Sequence, residues 1–432
     1  MSEHATPRFA RKMNLYDWLT YLESLHPKSI ALGLERVAQV KQRLNLNPDF
    51  PIITVGGTNG KGSVCALLES MLHAAGYKVG CYTSPHLLRY NERVRIAKKQ
   101  ASDAELCASF ERIEHARDVI PLTYFEFGTL AAMQCFIEHN VDVAILEVGL
   151  GGRLDAVNVF DSDCAVVASV DIDHTDYLGD TREQIAFEKA GIFRSGKVAI
   201  CADSNVPQAV TDYAEKIGAQ LWRIGLEFSF EEQKTKQWNY RSITGARNAL
   251  PYPALRGAFQ LGNASAALAA LDALKGRLPV SMEAVRRGLV EVQLAGRFQV
   301  VPGSPMLILD VAHNPHAARS LAQNLASLPP CPHTWAVFAM LRDKDIAGVA
   351  AALDPHIDTW LVASIDAPRG ATAAELAQVL QNSGVRGAIQ TFNNIAGAIG
   401  YACNAAGEND RIAAFGSFYT VAEAMAARGL RV

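Results

Sequence analysis

Short, almost continuously apolar runs alternate with amphipathic stretches through most of the chain, and this alternation constrains the fold more than any other feature. The runs that we predict as strands are 51–55, 79–83, 141–148, 165–170, 306–311, 334–340, 358–363 and 411–415. Strands that are apolar on both faces are typical of parallel sheets with helices on each side. The stretches between them carry apolar residues at helical spacing, as in 63–75. The sequence therefore predicts an α/β fold with two doubly wound sheets.

Length and a change of composition predict where two domains divide. The chain has 432 residues, and chains of this length usually fold into more than one domain, each with its own hydrophobic core. Residues 225–257 are polar and irregular, which suits a hairpin added to the first domain. Two helical stretches follow, and then a segment punctuated by glycine and proline. We place the linker at Gly296–Arg297, which predicts domains of residues 1–296 and 297–432.

The composition argues against a secreted, membrane or nucleic-acid-binding protein. Apolar residues make up 49% and charged residues 20% of the chain, and the net charge of −3 leaves no basic excess. The first residues contain no apolar core of a signal peptide, and no run of about 18 apolar residues occurs. The eight cysteines are scattered without a CxxC pair, which fits reduced thiols. We therefore expect a cytoplasmic protein that binds neither membrane nor nucleic acid.

The strongest chemical signal is a glycine-rich segment, here called the phosphate loop, between the first predicted strand and an amphipathic helix. Its residues are Gly57, Thr58, Asn59, Gly60, Lys61, Gly62 and Ser63. Glycines allow backbone N–H groups to surround a phosphate, and the start of the helix adds a partial positive charge. Lys61 supplies a mobile cation for the terminal phosphates, and the Ser63 hydroxyl can hold phosphate or metal. Gly62 departs from the common GxxxxGK[ST] pattern, so a glycine-rich turn with an incidental lysine is the alternative.

The phosphate loop and the segments after it resemble a known family. GTNGKGS resembles the phosphate loop of the Mur ligase superfamily. Further segments resemble, in the same order, those of folylpolyglutamate synthases and dihydrofolate synthases: YTSPHLLRYNERVRI, LTYFEFGTLAAM, ILEVGLGGRLDAVN, DIDHTDYLGDT, EKAGIFRSG, AGRFQVV, LDVAHNPHAA, MLRDKDIAGV and GSFYTVAEAM. The resemblance implies an N-terminal P-loop ATPase domain of Mur ligase type, which binds ATP and folate. It also implies a smaller, Rossmann-like C-terminal domain for glutamate ligation.

Acidic and imidazole side chains follow two of the predicted strands. Glu147 ends one apolar run, and Asp171, Asp173 and His174 follow another. Ligands of doubly wound sheets bind beyond the carboxyl ends of strands, and a carboxylate inside an apolar strand is costly without a partner. The resemblance implies that Ser84, Glu147 and His174 contact magnesium, with two ions expected. From the residues alone, a turn at Ser84 and a solvated acidic loop around His174 remain alternatives.

Lys189 lies in a helical stretch, where the residues alone favour an exposed lysine. The resemblance implies instead that this lysine is carbamylated, which gives an anionic group that assists metal binding. With Lys61 and His174 it would form the catalytic set.

The resemblance also implies where the substrates bind. Asn263, Arg297 and Asp310 match positions that contact ATP from the opposite side, although Asn263 alone suggests a helix-cap or helix-surface residue. Many relatives have a histidine where this chain has Phe259, which leaves any role of that histidine open here. Residues 26–37 and 122–128 resemble pterin-binding segments, in which aromatic residues offer flat apolar surface; core aromatics are the alternative. The substrate-contacting residues that we expect are Ser29, Ile30, Ala31, Thr123, Tyr124, Phe125, Glu126, Leu154 and His313.

Together the residues and the resemblance predict an ATP-dependent amide ligase that acts through an acyl phosphate. The favoured prediction is a bifunctional enzyme that adds L-glutamate to 7,8-dihydropteroate and to reduced folates, working as a monomer. A folylpolyglutamate synthase with one activity is the first alternative. A nucleotide-binding regulator without turnover is the second, and the presence of Lys61, Glu147, His174 and Lys189 argues against it.

Overall fold

The computed structural model describes residues 13–26, 30–234, 236–257 and 259–430. Its N-terminal unit is built on an eight-stranded sheet. The strands are β1 (Ile52–Gly56), β2 (Val79–Tyr82), β3 (Val94–Ile96), β4 (Lys99–Gln100), β5 (Val143–Glu147), β6 (Cys164–Val167), β7 (Val198–Cys201) and β8 (Gln220–Arg223). Their order is β4-β3-β2-β5-β1-β6-β7-β8, and the pairings of β3 with its two neighbours are antiparallel while the others are parallel.

Helices cover both faces of this sheet. They are α1 (Leu15–Ser24), α2 (Glu35–Arg43), α3 (Lys61–Ala74), α4 (Asp103–Arg117), α5 (Tyr124–Glu138), α6 (Thr175–Leu178), α7 (Arg182–Ala190), α8 (Gln208–Ile217), α9 (Gln260–Ala273) and α10 (Met282–Glu291). The core on one face includes Trp18, Phe110 and Phe127, and the core on the other includes Leu67 and Leu268. The polar segment after β8 forms a three-stranded antiparallel sheet against α9, so the predicted hairpin addition is confirmed. Its strands are β9 (Phe228–Glu232), β10 (Gln237–Ser242) and β11 (Gly245–Pro251).

The C-terminal unit contains a six-stranded sheet that is parallel except at β12. Its strands are β12 (Gln299–Val301), β13 (Met306–Asp310), β14 (Thr334–Phe338), β15 (Thr359–Ala363), β16 (Ala388–Phe392) and β17 (Arg411–Phe415), in the order β12-β13-β17-β14-β15-β16. The helices are α11 (Pro315–Ala326), α12 (Ile346–Leu353), α13 (Ala373–Asn382), α14 (Ile395–Ala405) and α15 (Phe418–Ala427). The first three cover one face of the sheet, and α14 and α15 cover the other.

The predicted α/β class with two doubly wound sheets is confirmed, and each of the eight apolar runs overlaps a strand. Strands β3, β4, β7, β8, β12 and β16 were not predicted, because all are short and most of them, β4, β8, β12 and β16, are largely half-buried or exposed, so their apolar signal is weak. The domain boundary at Gly296–Arg297 stays a prediction. Within the described ranges no helix combines the length and apolarity that crossing a membrane requires.

Candidate active site

A cavity of about 1020 Å³ lies between the two units. Residues that follow β1, β5 and β6 form one wall, and residues that follow β13, β14 and β17 form the opposite wall. Ligands of doubly wound sheets bind at this edge, because loops and helix starts converge at the carboxyl ends of the strands. The cavity is therefore the candidate active site, and both units contribute to it.

The phosphate loop runs from β1 into the first turn of α3, as the sequence predicts. Gly57 (φ 141°) and Gly60 (φ 86°) adopt backbone conformations that favour glycine. A Cβ atom at Gly60 would lie 2.6 Å from Asn263 Oδ1, so the loop packs directly against α9. Thr58 N donates to Ser169 O over 2.8 Å, which ties the loop to the segment after β6. The loop is thus held in one conformation by both of its neighbours.

Lys61 is the first residue of α3 and lines the cavity. Its Nζ donates to Gly57 O over 2.9 Å and to Thr58 O over 3.2 Å. Burial lowers the pKa of the Lys61 ammonium, and the carboxylate of Glu147 opposes that shift. Ser63 is buried two residues further along the same helix. The loop therefore combines a mobile cation, a hydroxyl and a helix start, which are the groups that bind phosphate.

Glu147 is the last residue of β5, and only 3% of it is exposed. Its Oε2 accepts from Ser84 N over 2.9 Å, so two of the three predicted metal-contacting residues are neighbours. Burial raises the pKa of this carboxyl, and the charge of Lys61 is the largest effect that opposes the rise. A buried carboxylate beside a serine suits a hard ion such as Mg²⁺. No cluster of three or more His, Cys, Asp and Glu side chains suited to a metal occurs in the part of the chain described, so an ion here needs other ligands as well.

His174 begins the short helix α6 in a left-handed conformation (φ 53°). Asp173 Oδ1 accepts from His174 N over 2.8 Å and from Lys344 Nζ over 2.6 Å. Burial lowers the pKa of His174 to about 4, so its imidazole is neutral and able to bind a metal. Its Nε2 lies 3.4 Å from Lys344 Nζ. Sequence reasoning assigned no role to Lys344; its place just after β14, at the carboxyl end of a strand, is the signal that could have identified it.

Lys189 lies in the last turn of α7, lines the cavity and is only 4% exposed. Its Nζ has no hydrogen-bond or ion-pair partner within the described ranges. Burial lowers the pKa of this amine to about 7, and the charge of Lys61 adds to the shift. The alternative of an exposed surface lysine is therefore wrong. Near pH 7 part of the amine is neutral, which is the form that reacts as a nucleophile.

The residues predicted to contact ATP from the other side line the same cavity. Asn263 approaches the phosphate loop from α9, while Arg297, Asp310 and His313 belong to the opposite wall. The guanidinium of Arg297 lies 5.2 Å from the ring centre of Phe418. Asp310 accepts from two backbone N–H groups at 2.7 and 2.8 Å, and burial raises the pKa of its carboxyl. His313 contacts a backbone carbonyl through Nδ1 at 2.8 Å, and burial lowers its pKa to about 4.

Several side chains of the C-terminal unit contact the phosphate loop and its neighbours directly. Asn314 Nδ2 donates to Asp173 Oδ2 over 3.1 Å, and His316 Nδ1 lies 3.0 Å from Asn59 Nδ2. The ring of Phe259 meets the ring of His316 edge-on at 5.6 Å. The two units are therefore in contact around the candidate phosphate site.

The acceptor segment predicted from the resemblance is held together by polar contacts. Thr123 and Glu126 cap the start of α5 reciprocally. Arg36 Nη2 donates to Ala31 O over 2.7 Å and to Glu126 Oε1 over 2.9 Å. The Glu126 carboxylate, singled out as a substrate contact, is thus already occupied by protein groups. Ser29 lies outside the described residues.

The aromatic residues of α5 divide into two groups. Phe127 is fully buried, so the alternative of a core aromatic applies to it. Tyr124 and Phe125 are only half-buried. The ring of Tyr124 packs edge-on against Tyr90 at 5.8 Å, and the ring of Phe125 lies 2.8 Å from the place of a Cβ atom at Gly149, which lines the cavity. Tyr124 and Phe125 therefore stand beside the cavity and not within its lining.

Leu154 O accepts from Gly33 N over 3.3 Å, which joins the loop after β5 to the half-buried segment around Ile30.

The adjacent Asp155, which sequence reasoning missed, is buried and caps a short helical turn. Burial raises the pKa of its carboxyl to about 7. Its place in GLGGRLDAVN, directly after the apolar run 141–148, is the signal that could have identified it. Apart from His313, the described residues that were predicted to contact substrate do not line the cavity itself, so the candidate site has two adjoining parts.

Comparison with known proteins places this geometry in a family. Residues 55–271 match the Mur ligase middle domain, and residues 296–418 match the Mur ligase glutamate ligase domain. Dihydrofolate synthase/folylpolyglutamate synthase of Escherichia coli (strain K12) is 48% identical over 412 residues, which cover 95% of this chain and 94% of the relative.

Solved structures agree with the sequence match. The structure of E. coli FolC in complex with DHPP and ADP superposes with a TM-score of 0.92 at 47% identity and covers 96% of this chain and 98% of its own. A bifunctional folylpolyglutamate synthase/dihydrofolate synthase with Mn, AMPPNP and L-glutamate bound gives a TM-score of 0.90 at 48% identity, with coverage of 97% and 98%. The chain therefore belongs to the dihydrofolate synthase/folylpolyglutamate synthase family of the Mur ligases and is an ATP-dependent ligase.

Proposed function

We propose that this chain joins L-glutamate to 7,8-dihydropteroate, which gives dihydrofolate, and to the glutamate tail of reduced folates, which gives polyglutamates. The observation that carries the proposal is the cavity in which the phosphate loop, the buried Glu147 and the C-terminal wall face one another. The E. coli relative, similar over almost the whole chain, is named for both activities, and this supports the bifunctional form.

ATP binds with its phosphates on the phosphate loop, between Asn263 on one side and Arg297 and Asp310 on the other. An oxygen of the acceptor carboxylate attacks the γ-phosphorus, ADP leaves, and an acyl phosphate forms. The neutral amine of glutamate then attacks the acyl carbon, inorganic phosphate leaves, and the amide remains. The protein contributes mainly position and charge: Lys61 and Arg297 hold the phosphate oxygens as charge moves between them.

Ser84, Glu147 and His174 would hold magnesium, with two ions expected. The buried carboxylate of Glu147 beside Ser84 and the neutral imidazole of His174 support this assignment. Divalent magnesium neutralises phosphate charge in such reactions. Lys189 would carry a carbamate, for which a neutral amine has to react with carbon dioxide. Its pKa of about 7 supports a substantial neutral fraction at physiological pH.

The acceptor binds against the part of the site beside the cavity. The residues assigned to it are Ile30, Ala31, Thr123, Tyr124, Phe125, Glu126 and Leu154, with Ser29 from the same segment. Asp155 joins this group, because its buried carboxyl lies next to Leu154. His313 is assigned to glutamate, because it lies on the opposite wall of the cavity.

The remaining proposals concern the domain boundaries, the oligomeric state and the location of the protein. The proposed domains are residues 1–296 and 297–432, which agrees with the start of the glutamate ligase domain match at residue 296. The protein is proposed to act as a cytoplasmic monomer that binds neither nucleic acid nor membrane.

One assay tests the function. Purified protein receives ATP, magnesium and labelled glutamate, with dihydropteroate in one tube and tetrahydrofolate in another. Labelled amide in both tubes is the expected result. Product from tetrahydrofolate alone would leave a folylpolyglutamate synthase with one activity. No amide in either tube would contradict the ligase proposal and favour the nucleotide-binding regulator.

A further inference from the structure

Arg93 lies directly before β3 and lines the cavity, at the side where the cavity adjoins the acceptor aromatics. Its guanidinium carbon lies 5.4 Å from the ring centre of Tyr124 and 5.4 Å from that of Tyr90. His86, its hydrogen-bond partner, lines the same cavity two residues after Ser84. Arg93 therefore stands between the proposed acceptor surface and the proposed metal ligands, along the path that an acceptor carboxylate has to take.

The positive charge of Arg93 is not neutralised within the protein. Among the described residues it forms no ion pair with a carboxylate. The adjacent Glu92 is already used, because its two oxygens accept from the backbone N–H groups of Leu87, Leu88 and Arg89 at 2.7, 2.7 and 2.6 Å. Cations that line a cavity without an ion pair favour the binding of an anion there.

Arg93 is anchored through Nε, and the buried hydroxyl of Tyr82 lies beside its guanidinium. Nε donates to His86 Nδ1 over 2.9 Å. The rings of Tyr90 and Tyr124 both lie near the guanidinium group. Among the described residues, neither terminal nitrogen donates to a carboxylate or a carbonyl oxygen. An arginine fixed through Nε presents two terminal nitrogens in the fork that matches a carboxylate.

The two proposed acceptors differ in charge at this position. Dihydropteroate has one carboxylate, on its benzoyl ring, and that group has to reach the γ-phosphate. A folate ends in glutamate, whose γ-carboxylate is activated while its α-carboxylate takes no part in the reaction. The second substrate therefore brings an additional anion, a few bonds behind the reacting group, into the passage between the aromatic surface and the phosphates.

We propose that Arg93 binds the α-carboxylate of the terminal glutamate of folate acceptors and so determines specificity for the second of the two activities. This inference rests on the proposed bifunctional ligase. Truncation of one side of a buried, charge-assisted pair lowers affinity by about ten- to a hundred-fold. Arg93→Gln should therefore raise the KM for tetrahydrofolate about ten- to a hundred-fold more than the KM for dihydropteroate.

The test measures both activities with the same preparations. Arg93→Lys keeps the charge without the fork and should give a smaller change in the KM ratio. Arg112→Gln is the matched control, because Arg112 is a surface arginine paired with Glu138. It should leave both KM values as in the wild type. Equal losses on both acceptors in Arg93→Gln, or a greater loss on dihydropteroate, would overturn the proposal.

A substrate analogue gives a test that does not depend on the folding of a variant. Tetrahydrofolate with its α-carboxylate converted to a carboxamide should bind the wild type with a KM raised about as much as that of Arg93→Gln for tetrahydrofolate. If the two groups contact each other, the KM of Arg93→Gln for the analogue should be little higher than its KM for tetrahydrofolate. An analogue that the wild type uses as well as tetrahydrofolate would refute the contact. A wild type that is inactive on both natural acceptors would instead contradict the proposed function.

Discussion

Replacing Lys189 by methionine should stabilise the protein, although it removes a residue proposed to act in catalysis. Burial lowers the pKa of the Lys189 ammonium from 10.5 to about 7. A tenfold change in an acid dissociation constant is worth about 1.4 kcal/mol, so burial of this cation costs on the order of 4 kcal/mol at pH 7. Methionine fills a similar volume and carries no charge. We expect Lys189→Met to raise the free energy of unfolding by about 2–4 kcal/mol at pH 7.

The pH dependence of this difference follows from the two protonation states. The unfolded chain keeps the Lys189 proton up to about pH 10.5, whereas the folded protein releases it near pH 7. Between these values the unfolded state binds more protons, so the stability of the wild type rises with pH. The buried Lys189 cation therefore lowers the free energy of unfolding by its full amount below pH 7, and this destabilisation disappears towards pH 10.5. The advantage of Lys189→Met should therefore shrink as the pH is raised from 7 to 10.

Urea unfolding, followed by tryptophan fluorescence at pH 7, 8.5 and 10, measures the difference. Buffers free of bicarbonate keep the amine unmodified. Lys216→Met is the control, because Lys216 is exposed in the last turn of α8; its substitution should change stability by less than about 0.5 kcal/mol. A Lys189→Met variant that is less stable than the wild type at pH 7, or a difference that does not change with pH, would refute the reasoning.

Three further outcomes concern catalysis. Lys61→Ala should lower kcat at least about 100-fold with an unchanged circular dichroism spectrum, because only the mobile cation is lost; near-wild-type kcat would contradict the phosphate-loop assignment. Glu147→Gln and His174→Ala should shift magnesium titrations of activity to higher concentrations and depress kcat, and curves that superpose on the wild type would exclude both as ligands. Lys189→Arg should be severely impaired, because arginine cannot form a carbamate, while short carboxylates should partly restore Lys189→Ala. Full activity of the arginine variant, with no ¹³C carbamate signal in the wild type, would exclude carbamylation.

The sequence predicted best what depends on neighbours along the chain. The phosphate loop is recognisable because a strand, its glycines, Lys61 and a helix start are contiguous. Glu147 is recognisable because an acid in an apolar strand is unusual without a partner. Contacts between distant segments could not be predicted in this way: the ion pair of Asp173 with Lys344 joins residues 171 positions apart in the chain.

Burial was the second property that the sequence did not reveal. Lys189 stands in an ordinary amphipathic pattern, and its enclosure depends on how the end of α7 packs against Gly152 in the loop after β5. Glu126 shows the opposite case. It is prominent in the sequence as a proposed acceptor contact, and the sequence did not reveal that its carboxylate also caps α5 and pairs with Arg36. Position along a helix predicts neither outcome, because both depend on segments far away in the chain.

The separation of the acceptor surface from the ATP-binding cavity has a consequence for how such a ligase diversifies. The proposed acceptor surface depends on the first turn of α5 and on Arg36, which contact each other without using any residue of the phosphate loop. Substitutions at this proposed surface should change which carboxylic acid is accepted while the phosphate loop keeps its structure. A laboratory search for ligases of new carboxylic acids should therefore randomise the surface around Tyr124 and Phe125 and leave the phosphate loop untouched.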